Sequence, residues 1–213
     1  MHLFSTGYVP RKGNPIDLRL DIKDPQWQLG ISQLTAMVQA GEIQRLEIVG
    51  TEPLIDTGLQ TWLLEIGAST TRQIHLRLTT DCMHWDDDWS RTLSRFTTCT
   101  VSAVVQNFNI GRLGEIMDRC RNLRIGLTPV LLTDPDCLHI TNLPYPALGW
   151  AANNVLGWIP ATPEPHLREF LGRCFTLLIR AEFDEARWQR FLTQVELIHG
   201  QRGTDWRQWI PAS

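Results

Sequence analysis

The segment "LEIVGTEPLID", residues 46–56, carries an apolar run to Gly50 and then sets a carboxylate, Glu52, directly before Pro53. A strand that stops at glycine, followed by Glu-Pro, offers that carboxylate to a partner at the strand end. Directly after it, Asp56 or Thr57 reads as the cap of a helix with Leu59, Trp62, Leu63 and Ile66 on its apolar side and Gly67 at its close. Strand, polar turn and amphipathic helix therefore follow one another between residues 46 and 67, which is one β-α unit.

The same unit recurs on both sides. Upstream, "PIDLRLDI" (15–22) alternates Ile16, Leu18, Leu20 and Ile22 with Asp17, Arg19 and Asp21. Asp24-Pro25 then reads as a helix start, with Trp27, Ile31, Leu34 and Val38 on one face and Gly41 at the end. Downstream, strands are expected at 73–80, 99–106 and 123–132, with a short sixth at 137–143. Of the intervening helices, one begins in "HWDDDW" after the third strand, and another, after the fourth, carries Ile110, Leu113, Ile116 and Met117. Strands alternating with helices of ten to fifteen residues predict right-handed crossovers and a parallel sheet, an α/β chain folded as a partial (β/α)5-6 TIM-like barrel. The proline-rich stretch 144–163 reads as a loop, and helices at 164–175 and 182–198 form a helical C-terminal extension. The expected division is a barrel over 1–145 and a helical region over 146–213.

The chain has 213 residues, is 43% hydrophobic and 20% charged, and carries a net charge of −3. That is the composition of an ordinary globular core. Positive charge is nowhere concentrated, so a nucleic-acid partner is not expected. No apolar run approaches a membrane span and "MHLFSTGYVPRKG" has no signal-peptide core, so the expected compartment is the cytoplasm. The five cysteines (Cys82, Cys99, Cys120, Cys137, Cys174) are widely spaced, which predicts reduced, buried thiols and neither disulfides nor a local thiolate metal site. "CMHWDDDW" (82–89) holds Cys82, His84 and Asp86–Asp88, but consecutive residues at a helix start point in different directions; capping is the expectation there. No nucleophile elbow of the G-x-S-x-G kind occurs.

Ligands of α/β sheets bind at the carboxyl ends of the strands. Here those ends read "GTEP" (50–53), "TTDC" (79–82), "SAVVQN" (102–107) and "GLTPVLLTD" (126–134). Their order resembles the radical SAM superfamily, which shows Gly-Gly-Glu-Pro-Leu after the second strand, a Thr-Thr-Asn-Gly-like end to the third, a serine on the fourth and a Gly…Pro element on the fifth. "CLHITNLP" (137–144) and "HGQRGTDWRQWIPAS" (199–213) are similar to the C-terminal part of radical SAM proteins described as having a twitch domain, small and partly phage-borne. The resemblance implies a barrel whose mouth binds S-adenosylmethionine through Gly50, Thr51, Glu52, Pro53, Thr79, Thr80, Asp81, Ser102, Gly126 and Pro129. In the family a 4Fe–4S cluster, held by C-x-x-x-C-x-x-C after the first strand, cleaves that cofactor to a 5′-deoxyadenosyl radical.

The chain departs from the pattern where the cluster belongs. Lys23-Asp24-Pro25 leads from the first strand straight into the first helix, and no cysteine triad occurs elsewhere. Without three thiolates there is no cluster, and without a cluster no electron for the sulfonium. No 4Fe–4S cluster and no catalytic residue are therefore expected. The family's second glycine is Thr51, its asparagine Asp81 and its glycine Cys82, changes that make the pocket less permissive to S-adenosylmethionine. The expected role is a degenerate radical-SAM-like protein that binds, scaffolds or regulates, with a protein partner or a second copy of itself. Two alternatives stand beside it: an accessory subunit of an enzyme whose cluster sits on another chain, and a metal-free enzyme using Glu52 and Asp81 as acid and base. Glu52 also has a structural reading, a carboxylate that caps backbone N–H groups at its turn. Asp81 reads as a turn residue, and Ser102 as a buried hydroxyl bonded within the sheet. Trp150, Trp158, Trp206 and Trp209 are assigned to loop and tail.

Overall fold

A computed structural model describes residues 16–50, 52–69, 74–202, 207 and 210. Five strands, β1 (Ile16–Asp21), β2 (Ile43–Val49), β3 (His75–Thr80), β4 (Thr98–Val105) and β5 (Gly126–Leu131), form one sheet of order β1-β2-β3-β4-β5. All strands run parallel, the α/β class expected from the alternation of strand and helix. The burial pattern distinguishes two faces: Leu18, Leu20, Leu46, Ile48, Leu76, Leu78, Cys99, Val101 and Ala103 are buried. The residues between them, Asp17, Arg19, Arg45, Glu47, His75, Arg77 and Thr100, stand on the opposite face, exposed or half-buried. Period-two alternation in the sequence is thus a sheet with one apolar and one polar face.

The helices are α1 (Ile31–Gln39), α2 (Thr57–Ser69), α3 (Asp87–Leu93), α4 (Leu113–Leu123), α5 (Tyr145–Ala161), α6 (Pro165–Ile179) and α7 (Glu185–Arg202). Three starts, those of α2, α3 and α7, carry an aspartate cap, whereas α1, α5 and α6 begin without a side-chain cap. Asp56 Oδ1 accepts from Leu59 N at 2.9 Å, Asp86 Oδ1 from Trp89 N at 2.7 Å, and Asp184 Oδ1 from Arg187 N at 3.0 Å. Between Asp21 and the 3-10 turn Pro25–Gly30 only Ile22, Lys23 and Asp24 intervene. Lys23 N closes that junction on Asp21 Oδ1 at 3.0 Å, while Ile22 N bonds Val49 O at 2.9 Å.

The chain forms two compact units. The first runs to Ala103 and includes Cys120–Thr128; the second comprises Val104–Arg119 and the residues from Pro129 onward. In the first, Leu34, Leu59, Trp62, Leu63 and Ile66 are buried on the helices, and Trp62 Nε1 donates to Thr35 Oγ1 at 2.9 Å. In the second, α5 and α6 pack as a helical pair, and Ala151, Val155, Leu171 and Cys174 on these helices are buried. Trp150 lies where a Cβ on Gly111 would fall, and Trp158 where one on Gly114 would. Each tryptophan thus uses a glycine as its socket. Asn107 Nδ2 donates to the carbonyls of Cys137 and Asn142 (3.1 and 3.2 Å), and Asn142 Nδ2 to Cys137 O (2.6 Å), which ties the 3-10 turn Asp136–Leu138 in place.

Two expectations fail. Residues 137–143 are a 3-10 turn and irregular chain, because the Asn107 and Asn142 amides take up the carbonyl groups that a sixth strand would present to a neighbour. The stretch 144–163 is mostly the helix α5. Its prolines sit where a helix tolerates them: Pro146 in the first turn, where N–H groups have no acceptor anyway, and Pro160 in the last. Trp150 and Trp158 therefore belong to a helix, while Trp206 and Trp209 lie outside the described residues.

Candidate strand-end site

Glu52 follows β2 and caps the 3-10 turn Pro53–Ile55. It is 1% exposed. Its carboxylate accepts from Leu54 N (3.0 Å) and Thr80 Oγ1 (2.5 Å) through Oε1, and from Asp81 N (2.9 Å) through Oε2. One side chain thus joins the end of β2 to the end of β3. The turn is closed from outside by Trp89, whose Nε1 donates to Leu54 O at 2.6 Å.

Asp81, 7% exposed, accepts from Met83 N at 3.0 Å, a turn of the kind that Asp favours. Cys82 N donates to Thr80 Oγ1 at 2.9 Å, and Cys82 itself has φ +62°. That left-handed conformation suits glycine, the residue expected there from the family pattern, and costs a residue with a Cβ of the order of 1 kcal/mol. Gly50 makes a different demand. A Cβ on it would lie 2.3 Å from Ile22 Cγ1, so the β2 end approaches the β1 end more closely than any side chain allows.

The electrostatics follow from this packing. Burial, reinforced by the Asp81 carboxylate and a side-chain hydrogen bond to it, holds the Glu52 carboxyl well above the ordinary carboxylate range; the bonds from Thr80 and the Asp81 backbone pull the other way without prevailing. Burial, with Glu52 and the Cys120 thiol nearby, pushes the Cys82 thiol up as well. All five cysteines are buried, and none forms a disulfide. Among the described residues no group of three or more His, Cys, Asp or Glu is arranged to hold a metal ion. Asp86 to Asp88 act as helix-start residues, Asp86 as the cap of α3 and Asp88 in an ion pair with Arg91 at 3.0 Å.

Of the strand-end residues, Gly50, Glu52, Pro53, Thr80 and Asp81 come together. Thr79 and Ser102 face each other across β3 and β4 on the polar side of the sheet, where Ser102 Oγ accepts from Arg77 Nε at 3.0 Å. Gly126 opens β5 instead of ending it, so it lies toward the other end of the sheet, beside Thr100. Pro129 lies within β5, in the second unit. Thr51 falls outside the described residues. Sequence reasoning missed Trp89 as a part of this network. Its signal was a tryptophan three residues after a capping aspartate, on the inward face of the first helical turn.

At the opposite, amino ends of the strands Asp17, Gln44, Arg45, His75, Thr97 and Thr98 line an open polar cleft of about 460 Å³. No helix among the described residues is long and apolar enough to cross a membrane. No protein-family model matches the chain, and neither the curated proteins nor the solved structures include a match to it.

Proposed function

We propose that this chain is a radical-SAM-like partial barrel that no longer performs radical chemistry and serves as a binding or scaffolding protein. One observation carries the reading. The carboxylate that the family pattern would aim at the cofactor's amino group is occupied from within, by Leu54 N, Thr80 Oγ1 and Asp81 N, and is 1% exposed. A group so engaged exchanges no bond with a ligand unless the ends of β2 and β3 come apart. The junction Ile22–Asp24 supports the same reading, because a cluster-binding loop needs many more residues than lie between β1 and the first turn. The sequential parallel sheet with a solvated polar face fits a barrel left open.

The test is anaerobic reconstitution with iron and sulfide, followed by calorimetric titration with S-adenosylmethionine. The expected result is no iron–sulfur absorbance and no heat of binding; a reconstituted cluster that takes up the cofactor overturns the proposal. A second reading, metal-free acid–base chemistry, is favoured by the raised Glu52 carboxyl beside Asp81. It requires that carboxyl to meet a substrate, and its burial weighs against it.

A further inference from the structure

We propose that the cleft at the amino ends of the strands is a binding site for a free α-amino acid with a polar side chain, independently of the strand-end motif. The register sets Asp17 opposite Arg45, Arg45 opposite His75 and His75 opposite Thr98, so four neighbouring strands present one row of functional groups. The row is roughly 14 Å long at the usual strand spacing. Gln44 and Thr97 are the other described residues that line the cleft, whose volume of about 460 Å³ accommodates a small metabolite with its water.

Charge selects the ligand class. Asp17 Oδ2 and Arg45 Nη1 lie 3.2 Å apart, and both side chains are more than half exposed. A simple anion drawn to Arg45 also meets Asp17, and a simple cation drawn to Asp17 also meets Arg45; neither gains much at a neutralised pair. A zwitterion whose ammonium and carboxylate are separated by about 3 Å, the spacing fixed across one Cα, matches both at once. The ammonium donates to Asp17 and the carboxylate takes the planar fork of Arg45. The ligand side chain then points along the row to His75, Thr97 and Thr98. His75 Nε2 is fixed by Thr100 Oγ1 at 3.1 Å, which orients the ring. These groups are hydrogen-bonding and not apolar, so the side chain they fit is polar.

The experiment is a two-dimensional amide NMR titration of the full chain with serine, glutamine and the other coded amino acids, with inorganic phosphate and methylamine as controls. At least one polar amino acid gives saturable shifts at residues 17, 44, 45, 75, 97 and 98, and the two controls give none. Asp17→Asn and Arg45→Gln each weaken that binding at least about tenfold. Both side chains are exposed, so the spectra of the variants keep the wild-type dispersion. Should either variant fail to fold, Thr98→Val takes its place and weakens binding of the same amino acid without moving other regions of the spectrum. The inference is overturned if no amino acid saturates these amides up to about 50 mM, if phosphate or methylamine moves them equally, or if the folded variants bind as wild type does.

Discussion

Replacing Glu52 with alanine removes three accepted hydrogen bonds from a site that is 1% exposed. The Thr80 hydroxyl can turn to another acceptor, but the Leu54 and Asp81 N–H groups are fixed by the backbone and lose theirs. Each buried donor left without a partner costs about 1–3 kcal/mol. The void left by the side chain adds a further cost, and relief of the buried carboxyl's repulsion by Asp81 returns part of it. The net expectation is a loss of about 2–4 kcal/mol. With an m-value of about 2 kcal/mol/M, the urea midpoint of Glu52→Ala falls by about 1–2 M. Circular dichroism and tryptophan fluorescence follow the transition, the second summed over nine tryptophans, of which Trp89 lies beside the turn. A midpoint within about 0.3 M of wild type would refute the reasoning, since it would mean that the β2 and β3 ends hold together without this carboxylate.

Titration of the same group gives a second expectation. Its carboxyl is raised in the folded chain above its ordinary value of 4.5, so between 4.5 and the raised value the folded state holds a proton that the unfolded state has released. Its contribution to stability is therefore full below pH 4.5 and is lost as the pH rises; Glu52→Gln removes that slope from urea midpoints measured across this range. The glycines offer a contrast. Gly111→Ala and Gly114→Ala each place a Cβ 1.9 Å from a tryptophan ring atom, on Trp150 and Trp158, and lose about 2–3 kcal/mol in thermal or urea unfolding. Gly149→Ala meets nothing within 4 Å on α5 and gains about 0.5–1 kcal/mol in the same assay. The native thiols react only slowly with a disulfide reagent at neutral pH, because all are buried and burial pushes Cys99 and Cys174 up to about 12; unfolding releases five reactive groups. Rapid stoichiometric labelling of the folded chain would contradict that packing.

β1 and β3 were legible because period-two alternation in "IDLRLD" and "HLRLTT" is the pattern of a sheet with one dry face. In the first unit α2 and α3 were legible from their apolar spacing and their aspartate caps, and α1 from its spacing alone, since the chain after Asp24 first forms a 3-10 turn and α1 begins at Ile31 without a side-chain cap. The error at 144–163 came from weighing prolines as breakers without asking where in a turn they fall. The error at 137–143 came from an apolar pattern whose backbone groups are taken by Asn107 and Asn142, partners far enough away in sequence that no local rule finds them. At the strand ends, Glu-Pro marked a capping carboxylate correctly. Its occupation by Thr80 and Asp81 depends on the β2–β3 neighbourhood, which the sequence implies but does not measure. Gly126 was misplaced because "LRIGLTPVLL" offers no cue to where within it the strand begins.

The central claim is that Glu52 is committed to the fold and not to a cofactor. Its most direct test is amide NMR of Leu54 and Asp81, the two backbone donors to that carboxylate, during titration with S-adenosylmethionine. The account predicts that both resonances stay in place and that both amides remain protected from hydrogen exchange at the highest cofactor concentration reached. Saturable shifts at Leu54 and Asp81, with loss of their protection, would contradict it.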